Sequence, residues 1–144
     1  MSQTDSETVE RICAAHGHRA DALIEILHDI QNAQHCVSDE AARIVAASLN
    51  LSRAEIQGVR SFYADFSTEP RDPNRIRLCR AEACQSVGAD RLAAALDAKG
   101  MAHQPVYCLG NCALGPAALV GDTLIGRATA ERIDAVHAGM HRDD

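Results

Sequence analysis

Residues 75–84 read Arg-Ile-Arg-Leu-Cys-Arg-Ala-Glu-Ala-Cys, and residues 103–112 read His-Gln-Pro-Val-Tyr-Cys-Leu-Gly-Asn-Cys. Polar and apolar residues alternate through 75–79, the pattern of a strand running into a loop at Cys79. Residues 103–107 read as a second strand, and it too runs into a cysteine, Cys108. The cysteines thus form two close pairs, Cys79-x₄-Cys84 and Cys108-x₃-Cys112, with 23 residues between them. That interval has room for one helix and one strand. Leu92, Ala95, Leu96 and Lys99 supply a helical period over 89–99, and Gly100 stops it. A strand–helix–strand unit brings both loops out on the same edge of a sheet, so four thiols meet on a rigid frame. Further along, 117–120 and 123–125 flank Gly121-Asp122, a hairpin turn. Thr129 then caps a final helix carrying Ile133, Val136 and His137. The expected order is β-α-β-β-β-α, a small mixed sheet with helices against it.

Upstream of this frame the texture is helical. In the first helix, Thr4-x-x-Glu7 is a capping box, Val9, Ile12, Cys13 and His16 follow at helical spacing, and Gly17 ends the run. Leu23, Ile26, Leu27 and Ile30 form one face of a second helix. Ser38, followed by Asp39 and Glu40, opens a third with a cap hydroxyl and acids at the positive end of the dipole. Its stripe is Ile44, Val45, Ser48 and Leu49, and Asn50 ends it. Ser52-x-x-Glu55 is a second capping box, with Leu51 and Ile56 at the staple positions. This fourth helix is expected to bury Ile56, Val59 and one of Phe62 or Tyr63. The fold class expected is α+β: a helical bundle over 1–66, a linker over 67–74 (Ser-Thr-Glu-Pro-Arg-Asp-Pro-Asn), and a sheet domain over 75–144.

Composition sharpens this reading. The chain has 144 residues, 47% of them hydrophobic, but alanine supplies 26 and Leu, Ile, Val and Phe together only 30. Six cysteines outnumber four aromatics, Phe62, Tyr63, Phe66 and Tyr107. Alanine brings little apolar area to a core, so a staple, a metal centre or a partner subunit is expected. No apolar run approaches the roughly 20 residues of a membrane span, which excludes membrane insertion. The polar, acidic start is neither a signal nor a basic transit peptide, so a cytoplasmic location is expected. A net charge of −6 argues against nucleic acid as a partner. No glycine-rich dinucleotide motif is present and no residue is a candidate for hydride chemistry, so no catalytic residue is expected.

In a reducing compartment, clustered cysteines point to metal or redox chemistry. A 2Fe–2S cluster takes four thiolates, and a four-residue gap occurs among its ligand spacings, although the C-x₂-C that follows in plant-type ferredoxins is absent here. Structural zinc also takes four thiolates, usually around tight knuckles. A redox dithiol reads C-x-x-C, which neither pair matches. Two disulfides need an oxidising compartment. The small and apolar neighbours Leu109-Gly110-Asn111 and Ala113-Leu114-Gly115-Pro116 favour a cluster, because glycine lets backbone N–H groups approach sulfur and apolar cover limits water. Arg80 would favour a reduced cluster if it faced inward; the plainer reading of Arg80 and Glu82 is a solvated loop.

With these residues in view, the sequence resembles the thioredoxin-like 2Fe–2S subunit family of NADH dehydrogenase (complex I) flavin modules. The resemblance runs from about residue 20 to residue 138. It rests on both cysteine pairs, on Ser61-Phe62-Tyr63-Ala64-Asp65-Phe66 and on Gly115-Pro116. It implies a helical part followed by a thioredoxin-like ferredoxin domain, with one 2Fe–2S cluster on Cys79, Cys84, Cys108 and Cys112 acting in electron transfer. Ser38-Asp39-Glu40-Ala41-Ala42, residues 79–86 and residues 110–116 are also similar to the gamma-subunit branch of soluble, molybdenum-containing NAD-dependent formate dehydrogenases. Complex I members more often carry small or hydroxyl residues where Arg80 and Glu82 stand. That resemblance implies a flavin (FMN) and NAD-binding partner subunit and a molybdenum-containing catalytic partner, with FMN, NAD and molybdenum held by those partners only. The equivalent subunits of NADH:quinone oxidoreductase and NAD-reducing hydrogenase are the alternatives within the family. A zinc-stapled interaction module is the alternative from another class.

The remaining chemistry-bearing residues read as structural. His16 and His18 flank a helix end, and His103 and His137 are expected to be structural or exposed. Cys13 sits on an apolar stripe as a small buried hydrophobe. Cys36, just before the third helix, is also expected to be structural. Phe62, Tyr63 and Phe66 are expected to pack in the core, with a partner-facing surface as the alternative.

Overall fold

The computed structural model describes residues 3–140. The chain divides into two compact units, Met1–Asp72 and Pro73–Asp144.

The first unit is all helical: α1 (Gln3–Ala15), α2 (Leu23–Gln34), α3 (Asp39–Leu49) and α4 (Arg53–Phe62), with a 3₁₀ turn at Ala20–Ala22. Thr4 lies inside α1, which begins one residue earlier at Gln3, so it does not take the expected cap position. Ser38 caps α3 by accepting from the Ala41 N–H at 3.1 Å, and Asn50 ends it in the left-handed region at φ 53. Ser52 and Glu55 form the reciprocal box on α4: the Glu55 N–H donates to Ser52 Oγ (3.2 Å) and the Ser52 N–H to Glu55 Oε2 (2.7 Å). One core gathers Val9, Cys13, Ile26, Leu27, Ile30, Val45, Leu49 and Ile56 from all four helices.

The end of α4 differs from expectation. Phe62 is 81% exposed and Tyr63 37% exposed; Arg60 and Phe66 are buried in their place. The helix stops at Phe62 and Tyr63 turns to an extended conformation, so the stripe that began at Ile56 is not continued by either ring. The chain then folds back and seats Phe66 against His28, with ring centroids 4.8 Å apart. Arg60 donates to the Val37 carbonyl (2.8 Å), Gln57 (2.6 Å) and Asp39 (2.6 Å). Beyond α4, the Ser67 N–H donates to Gln31 Oε1 (2.9 Å), and the Ser67 carbonyl accepts from the Val37 N–H (2.7 Å).

The second unit contains β1 (Ile76–Cys79), α5 (Glu82–Ser86), α6 (Ala89–Ala98), β2 (His103–Val106), β3 (Ala118–Val120), β4 (Thr123–Ile125) and α7 (Ala130–Met140). The expected element order holds, with the short helix α5 added inside the first cysteine pair. The sheet order is β2-β1-β3-β4. β1 and β2 run parallel, with Cys79 opposite Val106; β1–β3 and β3–β4 are antiparallel. Pro105 lies in β2, an edge strand, where its missing N–H costs least. Gly121-Asp122 forms the two-residue turn between β3 and β4. On α6, Ala93 rather than Ala95 joins Leu92 and Leu96 in the core, together with Ile76, Leu78, Val120, Ile125 and Ile133. The α7 cap is Thr129, whose Oγ accepts from the Arg132 N–H at 3.2 Å.

Arg60 is the polar linchpin of the helical unit. Arg60→Ala strands the buried Val37 carbonyl and is expected to lower stability by about 2–4 kcal/mol in urea unfolding.

Candidate functional site

The parallel pairing of β1 with β2 brings the two cysteine pairs together. The Arg80 N–H donates to the Val106 carbonyl (2.8 Å), so the chain is still paired as it enters the first cysteine segment. On the other side of β1, the Cys79 N–H donates to the Ala117 carbonyl (3.0 Å). Cys79 is therefore held between the strand end that leads to Cys108 and the segment that follows Cys112. Cys84 follows on α5. Cys79 and Cys84 are buried, and Cys108 and Cys112 are exposed. Cys108 takes φ 82, a conformation unusual for a residue with a side chain and costing on the order of 1 kcal/mol or more. That bend turns the strand into the Cys108–Cys112 loop.

The sulfurs of Cys108 and Cys112 lie 3.8 Å apart, and the Gly110 N–H points at the Cys108 sulfur (3.4 Å). Cys79 and Cys84, the second pair, lie close enough for each to influence the other's thiol. Burial alone would push the Cys79 thiol up, but N–H groups of Ala81, Cys108 and Leu109, together with the Cys84 thiol, bring it below its ordinary value. Donors from both cysteine segments thus converge on one sulfur. The Cys84 thiol is pushed up by burial and by the neighbouring charge of Cys79 and Cys112. That of Cys112 is pushed up by its hydrogen bond to Cys108 and by the Cys108 charge. Among the described residues, no three His, Cys, Asp or Glu side chains converge to hold one metal ion. The two thiol pairs lie within electrostatic reach of each other; four thiolates are the donor set a 2Fe–2S core takes, and the inward N–H groups suit its sulfurs.

The loop is braced from behind by Gly115, which the sequence patterns mark, and by residues 126–128 and Arg132, which they do not. A side chain at Gly115 would meet Val87 Cγ2 at 2.8 Å and the Cys84 sulfur at 3.5 Å. One at Gly126 would meet Asn111 Nδ2 and Leu114 Cβ, both at 2.9 Å. The Arg127 N–H donates to the Leu114 carbonyl (2.5 Å) and the Ala128 N–H to the Pro116 carbonyl (2.8 Å). Arg132 on α7 clamps this strap by donating to the carbonyls of Gly126 (2.6 Å) and Arg127 (3.0 Å). A lone arginine in a helix's first turn carries no sequence signal for such a role.

Other candidates lie elsewhere. Cys13 and Cys36 are buried in the helical unit, and burial is the main influence raising both thiols. His16 bonds Asp29 (2.7 Å), His18 bonds Ser48 (2.7 Å) and His103 bonds Asp97 (3.0 Å), all structural contacts. Arg80 pairs with Asp90 at 2.5 Å.

Comparison with known proteins agrees with this geometry. The thioredoxin-like [2Fe-2S] ferredoxin family matches residues 9–141, and the chain belongs to that family. It is therefore an electron-transfer protein of the 2Fe–2S class. It is 26% identical to a component of the NADH-quinone oxidoreductase of Escherichia coli (strain K12), over 92% of this chain and 87% of that protein. It is 32% identical to a component of the same name in Aquifex aeolicus (strain VF5), over 70% of this chain and 71% of that one. Against the NADP-reducing hydrogenase subunit HndA of Solidesulfovibrio fructosivorans the identity is 26%, over 90% and 81%. The fold matches a chain of a crystal structure of NAD+-reducing [NiFe]-hydrogenase in the H2-reduced state, with a TM-score of 0.67 and 22% identity. That match covers 88% of this chain but 23% of the hydrogenase chain.

Two outcomes follow from this site. In the cluster-free chain near neutral pH, iodoacetamide should modify the exposed Cys108 first, Cys112 after it because its thiol is pushed up by Cys108, and the buried Cys13, Cys36 and Cys84 last, as read by peptide mass spectrometry. Gly126→Ala should destabilise by about 1–3 kcal/mol through the clash with Asn111 and Leu114, measured by urea unfolding.

Proposed function

We propose that Cys79, Cys84, Cys108 and Cys112 hold one 2Fe–2S cluster, through which this chain exchanges single electrons with an FMN-bearing, NAD-binding partner subunit. The observation that carries this reading is the meeting of two thiol pairs at the ends of parallel strands, in a chain of the [2Fe–2S] ferredoxin family. When bound, the cluster supplies a one-electron carrier. The protein's part is to hold the sulfurs, to aim N–H groups of Ala81, Leu109 and Gly110 at them, and to keep Cys79 and Cys84 from water. The enzyme we assign it to is the NAD-dependent formate dehydrogenase complex, which converts formate and NAD⁺ to CO₂ and NADH, with molybdenum chemistry on a separate partner subunit. Support for that branch comes from the resemblance at residues 38–42, 79–86 and 110–116. No helix among the described residues is long and apolar enough to cross a membrane. We place the chain in the cytoplasm, where thiols remain reduced.

A second reading within the same class has its own support. The named relatives belong to NADH-quinone oxidoreductase and hydrogenase complexes, which favours the equivalent subunit of one of those.

Serine at any of the four cysteines should abolish or seriously weaken the visible absorption and the reduced-state EPR signal, while Cys13→Ser and Cys36→Ser leave both intact. A normal signal in Cys84→Ser would remove it from the ligand set. A colourless chain with one zinc and no iron would end the electron-transfer reading. For the branch, the chain co-purified with its natural partners should be reduced by formate. Reduction by hydrogen but not formate would assign it to a hydrogenase.

A further inference from the structure

Beside the cysteine site, the second unit carries a groove of about 410 Å³. Its lining includes the apolar Val87, Leu92 and Pro116 and the charged Arg91, Arg127 and Glu131. Val87 is 53% exposed, and a Cβ added at Gly115 would meet one of its methyls at 2.8 Å and the Cys84 sulfur at 3.5 Å. Pro116 belongs to the strap behind the Cys108–Cys112 loop. The groove therefore shares its wall with the redox site.

Its two arginines are set apart from their neighbours. In this unit Arg77 donates to the Gly121 carbonyl, Arg80 pairs with Asp90, Arg132 clamps the strap, and Arg75 also has a partner. Arg91 and Arg127 are exposed and make no hydrogen bond or ion pair through their side chains among the described residues. Arg127 is held at φ 45, a left-handed conformation disfavoured for a side-chain-bearing residue. The strap's hydrogen bonds to its N–H and carbonyl hold that backbone beside the groove that Arg127 lines. In a chain of net charge −6, this groove thus sets two arginines against one acid, Glu131, beside apolar side chains.

We propose that this groove is the docking site for a carboxylate-bearing segment of the electron-exchanging partner protein, with Arg91 and Arg127 pairing its acids and Val87, Leu92 and Pro116 taking an apolar side chain. Arginine suits this role, since its planar fork binds carboxylates in two-point fashion and is enriched at interface hot spots. Complementary charge steers encounter and fixes register, and Val87 and Gly115 join this groove to the surroundings of Cys84. The proposal rests on the electron-transfer reading above and adds where the partner binds.

The test uses the full, cluster-loaded chain and the purified FMN-bearing subunit of its complex, with binding followed by titration calorimetry at several salt concentrations. The double variant Arg91→Glu/Arg127→Glu should keep the visible and EPR spectra of the wild type yet bind about tenfold or more weakly, with a flatter salt dependence. Arg91→Lys/Arg127→Lys should retain most of the salt dependence, and Arg53→Glu, on the helical unit, should change nothing. The milder Arg91→Gln and Arg127→Gln variants should each weaken binding in part, and they serve if the double reversal fails to fold. Unchanged affinity in folded charge variants overturns the docking site and leaves the electron-transfer reading standing. A wild-type chain with a normal cluster spectrum that does not bind the flavoprotein overturns both the partner assignment and the site. Saturable binding of inorganic phosphate or NADH to the wild-type chain, lost in the double variant, makes the groove a small-anion site and overturns the protein-docking proposal.

Discussion

Everything at the redox end of this molecule depends on the parallel pairing of β1 with β2. Parallel strands need a crossover, and α5 and α6 supply it. Because the strands point the same way, both finish at one end of the sheet, and a cysteine at each finish suffices to bring two distant segments together. An antiparallel pairing of the same strands would have separated Cys79 from Cys108 by the length of the sheet. β3 then closes the other side of β1, so the backbone around Cys79 is bonded on both flanks before any sulfur chemistry is considered.

The thin core acquires a physical meaning here. Away from the thiols, the sheet domain packs Ile, Leu and Val against α6 and α7. At the thiol end, the buried residues are Cys79, Cys84, Ala89 and Ala117, with Ala81, Val106 and Leu109 partly buried around them. That cluster buries no large side chain fully, and two sulfurs occupy core positions. Metal-binding energy can serve as folding energy, and this end of the domain is where it is most needed. The four aromatics do little of this work: Tyr107 is 76% exposed beside Cys108, and only Phe66 is buried, in the other unit.

Much of this was legible in the sequence, for identifiable reasons. The capping box at Ser52 and Glu55, the Ser38 cap, the Gly121-Asp122 turn and the strand–cysteine boundaries are short-range features set by neighbouring residues. The cysteine spacing carried the site, because it combines with strand direction. What could not be read depends on tertiary contact. The exposure of Phe62 and Tyr63 follows from where α4 unwinds and the chain folds back to Phe66. The preference for Ala93 over Ala95 follows from which face of α6 packs on the sheet, the one that carries Leu92 and Leu96. Arg60 reads as a surface charge, and its burial reflects an acceptor, the Val37 carbonyl, 23 residues earlier in the chain. The strap of Gly126, Arg127, Ala128 and Arg132 is invisible for the same reason: its partners, Leu114 and Pro116, are reached through backbone atoms that have no sequence identity.

That strap also sets an order of assembly. All four cysteines have been synthesised once residue 112 emerges, and β1 and β2 can pair by then. The segment that holds the second cysteine loop in shape comes later, and its clamp, Arg132, lies on α7, after every strand. During synthesis there is therefore an interval in which the thiols exist without their final frame. The hydrogen bonds that hold the second cysteine loop in its final shape are therefore complete only once α7 is in place.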